Sequence, residues 1–278
     1  MTPQAVKSAP MPPSPWRNGI SQAMCEALVR ILRFLLPLAL VVAGWAMLSA
    51  SGLVRPIFLP SPLEVARQLA VLQEEGEILG PLWTSIYRAF AGLVLAVVVG
   101  VLAGLAMARS RLAYWGLDPL VALGFPAPKI AFMPIFILWF GIEDLSKILL
   151  VAFTCVFPLI VATWQGAIAV PRNFIWSARA MGTSEPQLLR KVIFPGTLVT
   201  IMSGIRVAVP VALITAFTAE MVAGGGGLGG QLMYAQRMLQ TPTVFVYIVL
   251  MLLTGVVFDQ VLLALRHRLV PWLAEDEL

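Results

Sequence analysis

Residues 84–108 read TSIYRAFAGLVLAVVVGVLAGLAMA, twenty-five positions with a single charge, Arg88. As an α-helix rising 1.5 Å per residue this stretch is about 37 Å long, enough to cross the ~30 Å hydrocarbon layer of a bilayer. No alternation of period two runs through it, which sets aside a strand of a transmembrane barrel. It is also too long for a buried strand. Five more runs of this kind accompany it: Phe34–Leu53, Leu117–Phe140, Ile148–Val170, Thr197–Val222 and Val244–Leu265. The run Leu117–Phe140 contains Pro126-Ala127-Pro128 and is predicted to break there. The fold class is an all-α integral membrane protein of about six transmembrane helices.

Composition agrees. The chain is 59% apolar and 12% charged, with mean hydropathy +0.89, against about 45–50% and 25% in soluble domains. Its 278 residues leave no room for a second large soluble domain. The formal charge of +5 is read as loop charge, not as a nucleic-acid footprint. A signal peptide at Phe34–Leu53 is disfavoured by the long preceding tail and the long apolar part, although Ser49-Ala50-Ser51 loosely mimics a cleavage site. Cys25 and Cys155 fit neither a disulfide framework nor a metal spacing.

Lysine and arginine set the expected orientation. With the N-terminus inside, twelve of them fall in cytoplasmic segments and four outside, and an even number of spans returns Arg266 and Arg268 to the inside. Both termini are then cytoplasmic. The connection 54–83 is external and carries a short helix after Pro60-Ser61-Pro62.

No GxxxxGK[ST] motif is present, so no ATP site of the P-loop kind belongs to this chain. The glycine run 224–230 matches GxGxxG literally but lacks a surrounding βαβ unit, and it reads as a flexible external loop. His267, the one histidine, gives no metal set.

The longest internal polar stretch, 171–196, has the grammar of two short helices joined by a sharp turn. Asn173 can cap a first helix, Phe174–Met181, and Gly182 follows its end. Ser184 and Gln187 form an S-x-x-Q capping box for a second helix, Glu185–Phe194, and Pro195 stops it. Leu188, Leu189, Val192 and Ile193 lie on one side of that helix, with Arg190 and Lys191 on another. Periodicity leaves two readings open, an amphipathic segment on the membrane surface or a docking element for a partner.

Here the sequence resembles the permease subunits of binding-protein-dependent ABC importers. Ala178, Gly182 and Pro195 stand where that family carries its "EAA" loop, within Trp176-Ser177-Ala178-Arg179-Ala180-Met181-Gly182 and Val192-Ile193-Phe194-Pro195. Trp176, Ser177 and Phe194 depart from the family's Glu, Ala and Leu. Phe58-Leu59-Pro60-Ser61-Pro62, Met133 to Gly141, and Ala219-Glu220-Met221 followed by Gly227-Leu228-Gly229 are similar to the nitrate, taurine and aliphatic-sulfonate branch.

The resemblance implies a transmembrane domain at 30–270 with its coupling loop at 171–196. A disordered cytoplasmic tail at 1–29 and an acidic tail at 271–278 would flank it. It implies docking of two ATPase subunits on Ala178, Arg179, Met181, Gly182, Thr183, Ser184 and Glu185. ATP and Mg would be held on those subunits and no cofactor or metal on this chain. It further implies a second permease copy, giving a homodimer, and a periplasmic substrate-binding protein. The location would be the bacterial inner membrane, in contact with lipid and without nucleic acid. The chain would not be an enzyme, and its solute would be a small anion such as a sulfonate, nitrate or organic acid.

Ionisable residues inside spans cost about 2.5–3.5 kcal/mol each at the bilayer centre on insertion scales, so each asks for a reason. Lys129 could attract an anion or cap carbonyls freed at the proline break. Arg206 could face the pathway or snorkel toward the cytoplasmic side. Glu220 could be a gate or docking residue or an interfacial carboxylate. Arg88 reads as interfacial. Together with Met133, the residues Lys129, Arg206 and Glu220 form the candidate pathway or gate set. A secondary transporter or uncoupled channel is the rival reading. It would show coupling carboxylates at mid-membrane and repeated broken helices, and the sequence presents neither.

Overall fold

Long apolar runs become long helices because a backbone in lipid must satisfy its own hydrogen bonds. The computed structural model describes the backbone of residues 36–269 and the side chains of 36–264. The expected tails 1–29 and 271–278, Cys25, and the side chains of Arg266, His267 and Arg268 lie outside the described residues. Among the described residues every regular element is helical.

The first of two units ends at Leu63. Its helix α1, Leu36–Ala50, is apolar but short. The segment that follows folds back on it: Trp45 Nε1 donates to the Pro60 carbonyl (2.9 Å) and Ser49 Oγ to that of Leu59 (3.4 Å). The expected short helix after Pro60-Ser61-Pro62 is present as α2, Pro62–Glu74.

The second unit begins at Glu64. It contains α3 (Leu79–Arg109), α4 (Arg111–Gly124), α5 (Met133–Phe140) and α6 (Asp144–Ala169). There follow α7 (Arg172–Ala180), α8 (Glu185–Leu188), α9 (Phe194–Ala223), α10 (Gly227–Arg237) and α11 (Thr241–Leu269). Among the described residues, four continuous helices are long and apolar enough to cross a membrane. The fifth candidate is α4 with the segment Lys129–Phe140, bent by 99° at the predicted proline break.

The core of this unit is α3, α6 and α9. Gly92, Ala96, Gly100 and Gly104 recur every four residues along one face of α3. Gly92 meets Val151, Gly100 meets Leu159 and Gly104 meets Thr163, in step, so α3 and α6 run parallel. In lipid there is no hydrophobic drive to join apolar helices, and small residues let backbones approach closely enough for dispersion to hold them. An added Cβ at Gly104 would lie 2.6 Å from Thr163 Cβ and 2.8 Å from the Ile160 carbonyl. Gly104→Ala is therefore expected to cost about 1–3 kcal/mol through overpacking. The thermal midpoint in detergent checks this, with Gly116→Ala, which meets nothing within 4 Å, as control.

Helix α9 runs the other way. Gly166 of α6 packs on Thr197 and Thr200, while Gly204 packs on Ala162. One end of the bundle thus carries α7 and α8, here termed the elbow face. The opposite end carries the start of α6 and the glycine run.

Candidate functional site

At the elbow face, α7 ends in a Schellman motif. Thr183 N–H donates to the Ala178 carbonyl (3.1 Å) and Gly182 N–H to that of Arg179 (2.9 Å). Gly182 has φ +75°, as its position predicted. The capping box of Ser184 and Gln187 is present, with Ser184 N–H donating to Gln187 Oε1 at 3.3 Å.

Two boundaries differ from expectation. Helix α7 begins at Arg172 behind Pro171, whose φ of −58° already suits a helix start, and Asn173 lies inside it. Pro195 does not stop the second helix. A π-turn over Leu189–Ile193 carries α8 straight into α9, so Glu185–Ala223 is one helix of 39 residues. Proline lacks an N–H, and the wider turn, with Phe194 N–H reaching back to the Leu189 carbonyl, absorbs its insertion.

The elbow is anchored from below and open above. Ala178 is buried with Leu105, Ala167, Leu188 and Ile193. Arg179 clasps Glu185 through Nε (3.1 Å) and Nη2 (2.8 Å), and Arg109 at the end of α3 pairs with the other Glu185 oxygen. Arg109 was not singled out in the sequence. Glu185 is the carboxylate of this loop, while Trp176, at the family's Glu position, is exposed. Phe174 and Met181 are exposed beside it, next to a cleft of about 640 Å³ floored by Ala169, Val170, Val192 and Val199.

The opposite end holds a buried charge network. Arg88 is 2% exposed, and Glu220 and Lys147 are fully enclosed. Arg88 Nη1 donates to Glu220 Oε1 (3.0 Å), Nε to Asp144 Oδ1 (2.8 Å) and Nη2 to the Gly225 carbonyl (2.7 Å). The Ser85 hydroxyl donates toward Glu220, 2.7 Å from Oε2, and accepts from Leu228 N–H. Gly229 N–H donates to Glu220 Oε2 (3.0 Å). Lys147 Nζ donates to the Ile142 carbonyl at 2.6 Å.

Three expectations are corrected here. Arg88 is not a lone arginine near a span end but is paired with Glu220 in the protein interior, and Lys147 is not a loop residue but part of the first turn of α6. The glycine run is not a loose loop. Gly224–Gly227 all have positive φ, a form open to glycine alone over four residues, and Gly227 starts α10. The carbonyls this conformation presents are those that accept from Arg88. Ser85, Arg88 and Asp144 were missed as a group because their partners are remote in the chain, and Lys147 because its partners are backbone carbonyls.

The candidate pathway set does not converge in this conformation. Lys129 caps the Phe125 carbonyl freed at the break and lies over the Phe125 and Phe157 rings. Met133 is fully buried against Leu150 and Ala219. Glu220 presents no surface, and Arg206 stands exposed on the side of α9.

A sequence model of the family described as "Binding-protein-dependent transport system inner membrane component" matches residues 96–271, well over half of the chain. The chain belongs to this family. The permease is 32% identical to the taurine transport system permease protein of Escherichia coli over 243 residues, covering 86% of this chain and 88% of that one. It is 33% identical to the putative aliphatic sulfonates transport permease protein of Bacillus subtilis over 238 residues, with 86% of each covered. A formylaminopyrimidine transport permease protein of Halalkalibacterium halodurans shares 31% over 229 residues, covering 81% of this chain and 90% of that one. Among solved structures, a chain of the inward-facing MetNI methionine ABC transporter matches with TM-score 0.54 and 17% identity over 66% of this permease and 93% of that chain. That likeness concerns the fold alone. The family membership makes this an ABC permease, a non-catalytic membrane subunit, and decides against the secondary-transporter reading.

Proposed function

We propose that this permease imports a small anion of the sulfonate class, driven by ATP hydrolysis in two ATPase subunits that dock on the elbow face. The observation that carries the coupling is the elbow itself. Gly182 joins two helices with almost no linker, one pinned by Ala178 and the other continuous with α9. Beside it Phe174, Trp176 and Met181 offer exposed apolar side chains that a partner can cover. Ala178, Arg179, Met181, Gly182, Thr183, Ser184 and Glu185 form the coupling element. Nucleotide and Mg belong to the partner subunits. A periplasmic binding protein delivers the solute, and a second copy of this chain completes the pathway.

The relatives named for taurine and aliphatic sulfonates support the solute class. The excess of lysine and arginine supports an elbow face turned to the cytoplasm. Co-purification with the cognate ATPase, followed by ATP-driven uptake of taurine, ethanesulfonate and nitrate in proteoliposomes, tests the reading. Absence of a bound ATPase would refute it. For orientation, cysteines introduced at 54–83, in a chain lacking Cys25 and Cys155, are expected to react with an impermeant reagent from outside. Cysteines at 171–196 are expected to be protected, and the reverse pattern would invert the topology.

A further inference from the structure

Two opposite charges stand deep within spans at the surface of the chain. Arg206 on α9 and Asp259 on α11 are both exposed, and they share one crevice with Met202, Leu262 and Leu263. Among the described residues neither makes a hydrogen bond or ion pair. They lie at one depth. Arg206 is about 26 Å along the helix from Ala223 and Asp259 about 27 Å from Thr241, the two ends facing away from the elbow. Asp259 is also about 15 Å from Leu269. Within its apolar run, Val244–Leu265, Asp259 is about 9 Å from the nearer end, farther than an aspartate stem of one methylene reaches, so snorkelling does not explain it. A bare carboxylate and guanidinium in hydrocarbon are costly enough that this face must meet water or a charged partner.

The crevice between them is about 10 Å³, room for one water at most. A solute must therefore reach Arg206 from its open side. A guanidinium offers a planar fork of donors suited to sulfonate, nitrate or carboxylate oxygens. A cation alone would hold an anion too well, and passage requires binding weak enough to release. A nearby fixed carboxylate supplies that weakening.

We propose that Arg206 and Asp259 form an anion-exchange site within the spans. Arg206 binds the anionic group of the passing solute, and Asp259, the carboxylate lining the same crevice, weakens that hold so that the solute is released. This rests on the anion-import reading above and adds the residue that sets release.

The test titrates the full-length chain in lipid nanodiscs with ethanesulfonate, and with dimethyl sulfone as its uncharged counterpart, while following the thermal midpoint. Ethanesulfonate is expected to raise the wild-type midpoint and dimethyl sulfone to leave it unchanged. Asp259→Asn is expected to lower the half-saturating ethanesulfonate concentration about tenfold, since a repelling charge is gone. Arg206→Lys keeps a weaker response, whereas Arg206→Met and the double change Arg206→Met/Asp259→Asn lose it. In reconstituted uptake the double variant is expected to be as inactive as Arg206→Met. If the double variant regained wild-type uptake, the two residues would be a structural pair and the proposal overturned. A wild-type midpoint indifferent to ethanesulfonate, nitrate and benzoate alike overturns it too. A chain that shows the anion response yet couples to no ATPase would instead sink the importer reading and leave this site standing.

Discussion

Glu220→Ala is expected to be among the most damaging single changes in this permease, costing about 3–5 kcal/mol of stability. Breaking one side of a buried ion pair leaves the other charge without compensation. Here the abandoned partner would be Arg88, 2% exposed, with only the half-exposed Asp144 and two glycine carbonyls left to it. Two further groups lose their acceptor in the same stroke, the Ser85 hydroxyl and Gly229 N–H. The loss should appear as a large drop in thermal midpoint and in the yield of folded chain. Arg88→Met/Glu220→Leu removes both charges and should recover part of the loss, because an apolar pair carries no desolvation penalty. If Glu220→Ala folded with an unchanged midpoint, the network would not hold α3, α9 and α10 together.

Gly182→Val is expected to abolish ATP-driven uptake while leaving insertion and thermal stability of the spans nearly unchanged. Gly182 has φ +75°, and the left-handed region costs an L-residue on the order of 1–2 kcal/mol, more with branching at Cβ. Nothing lies within 4 Å of a built Cβ, so the damage is conformational and local to the elbow. The strained turn would open the Schellman hydrogen bonds and displace Phe174, Trp176 and Met181 together. Gly182→Asn, which tolerates this region better, should retain much of the activity. Uptake and ATPase co-purification in parallel check the claim, and full coupling in Gly182→Val would remove the elbow from the mechanism.

How much of this was legible beforehand follows from the range of each interaction. Spans, the break at Pro126-Ala127-Pro128, the turn at Gly182 and the box of Ser184 and Gln187 depend on neighbours within four residues, and each was readable. The pairing of Arg88 with Glu220 joins residues 132 positions apart, and each alone looks like an ordinary residue near a span end. Gly224–Gly227 misled for a related reason. Glycine announces conformational freedom, but the carbonyls that fix it are claimed by an arginine from another helix. Pro195 misled because a proline's local effect was taken as final, whereas a single π-turn accommodates it. Asp259 was passed over as one charge in a long apolar run, and only the depth it shares with Arg206 gives it meaning.

The π-turn has a rotational consequence. In an α-helix each residue advances 100° around the axis, so one residue more per turn resets the angular phase of everything beyond it. Inward positions step from Leu188 to Ile193, five apart, and then to Thr197 and Ile201, four apart each time. The five-residue step falls on Leu189–Ile193 itself. A regular helix through that segment would keep the elbow end seated on the bundle only by swinging Thr197, Ile201 and Gly204 off α6 by a quarter turn or more. The surplus residue thus works as a phase adapter, letting one stiff rod of 39 residues mesh with two surfaces whose bearings differ.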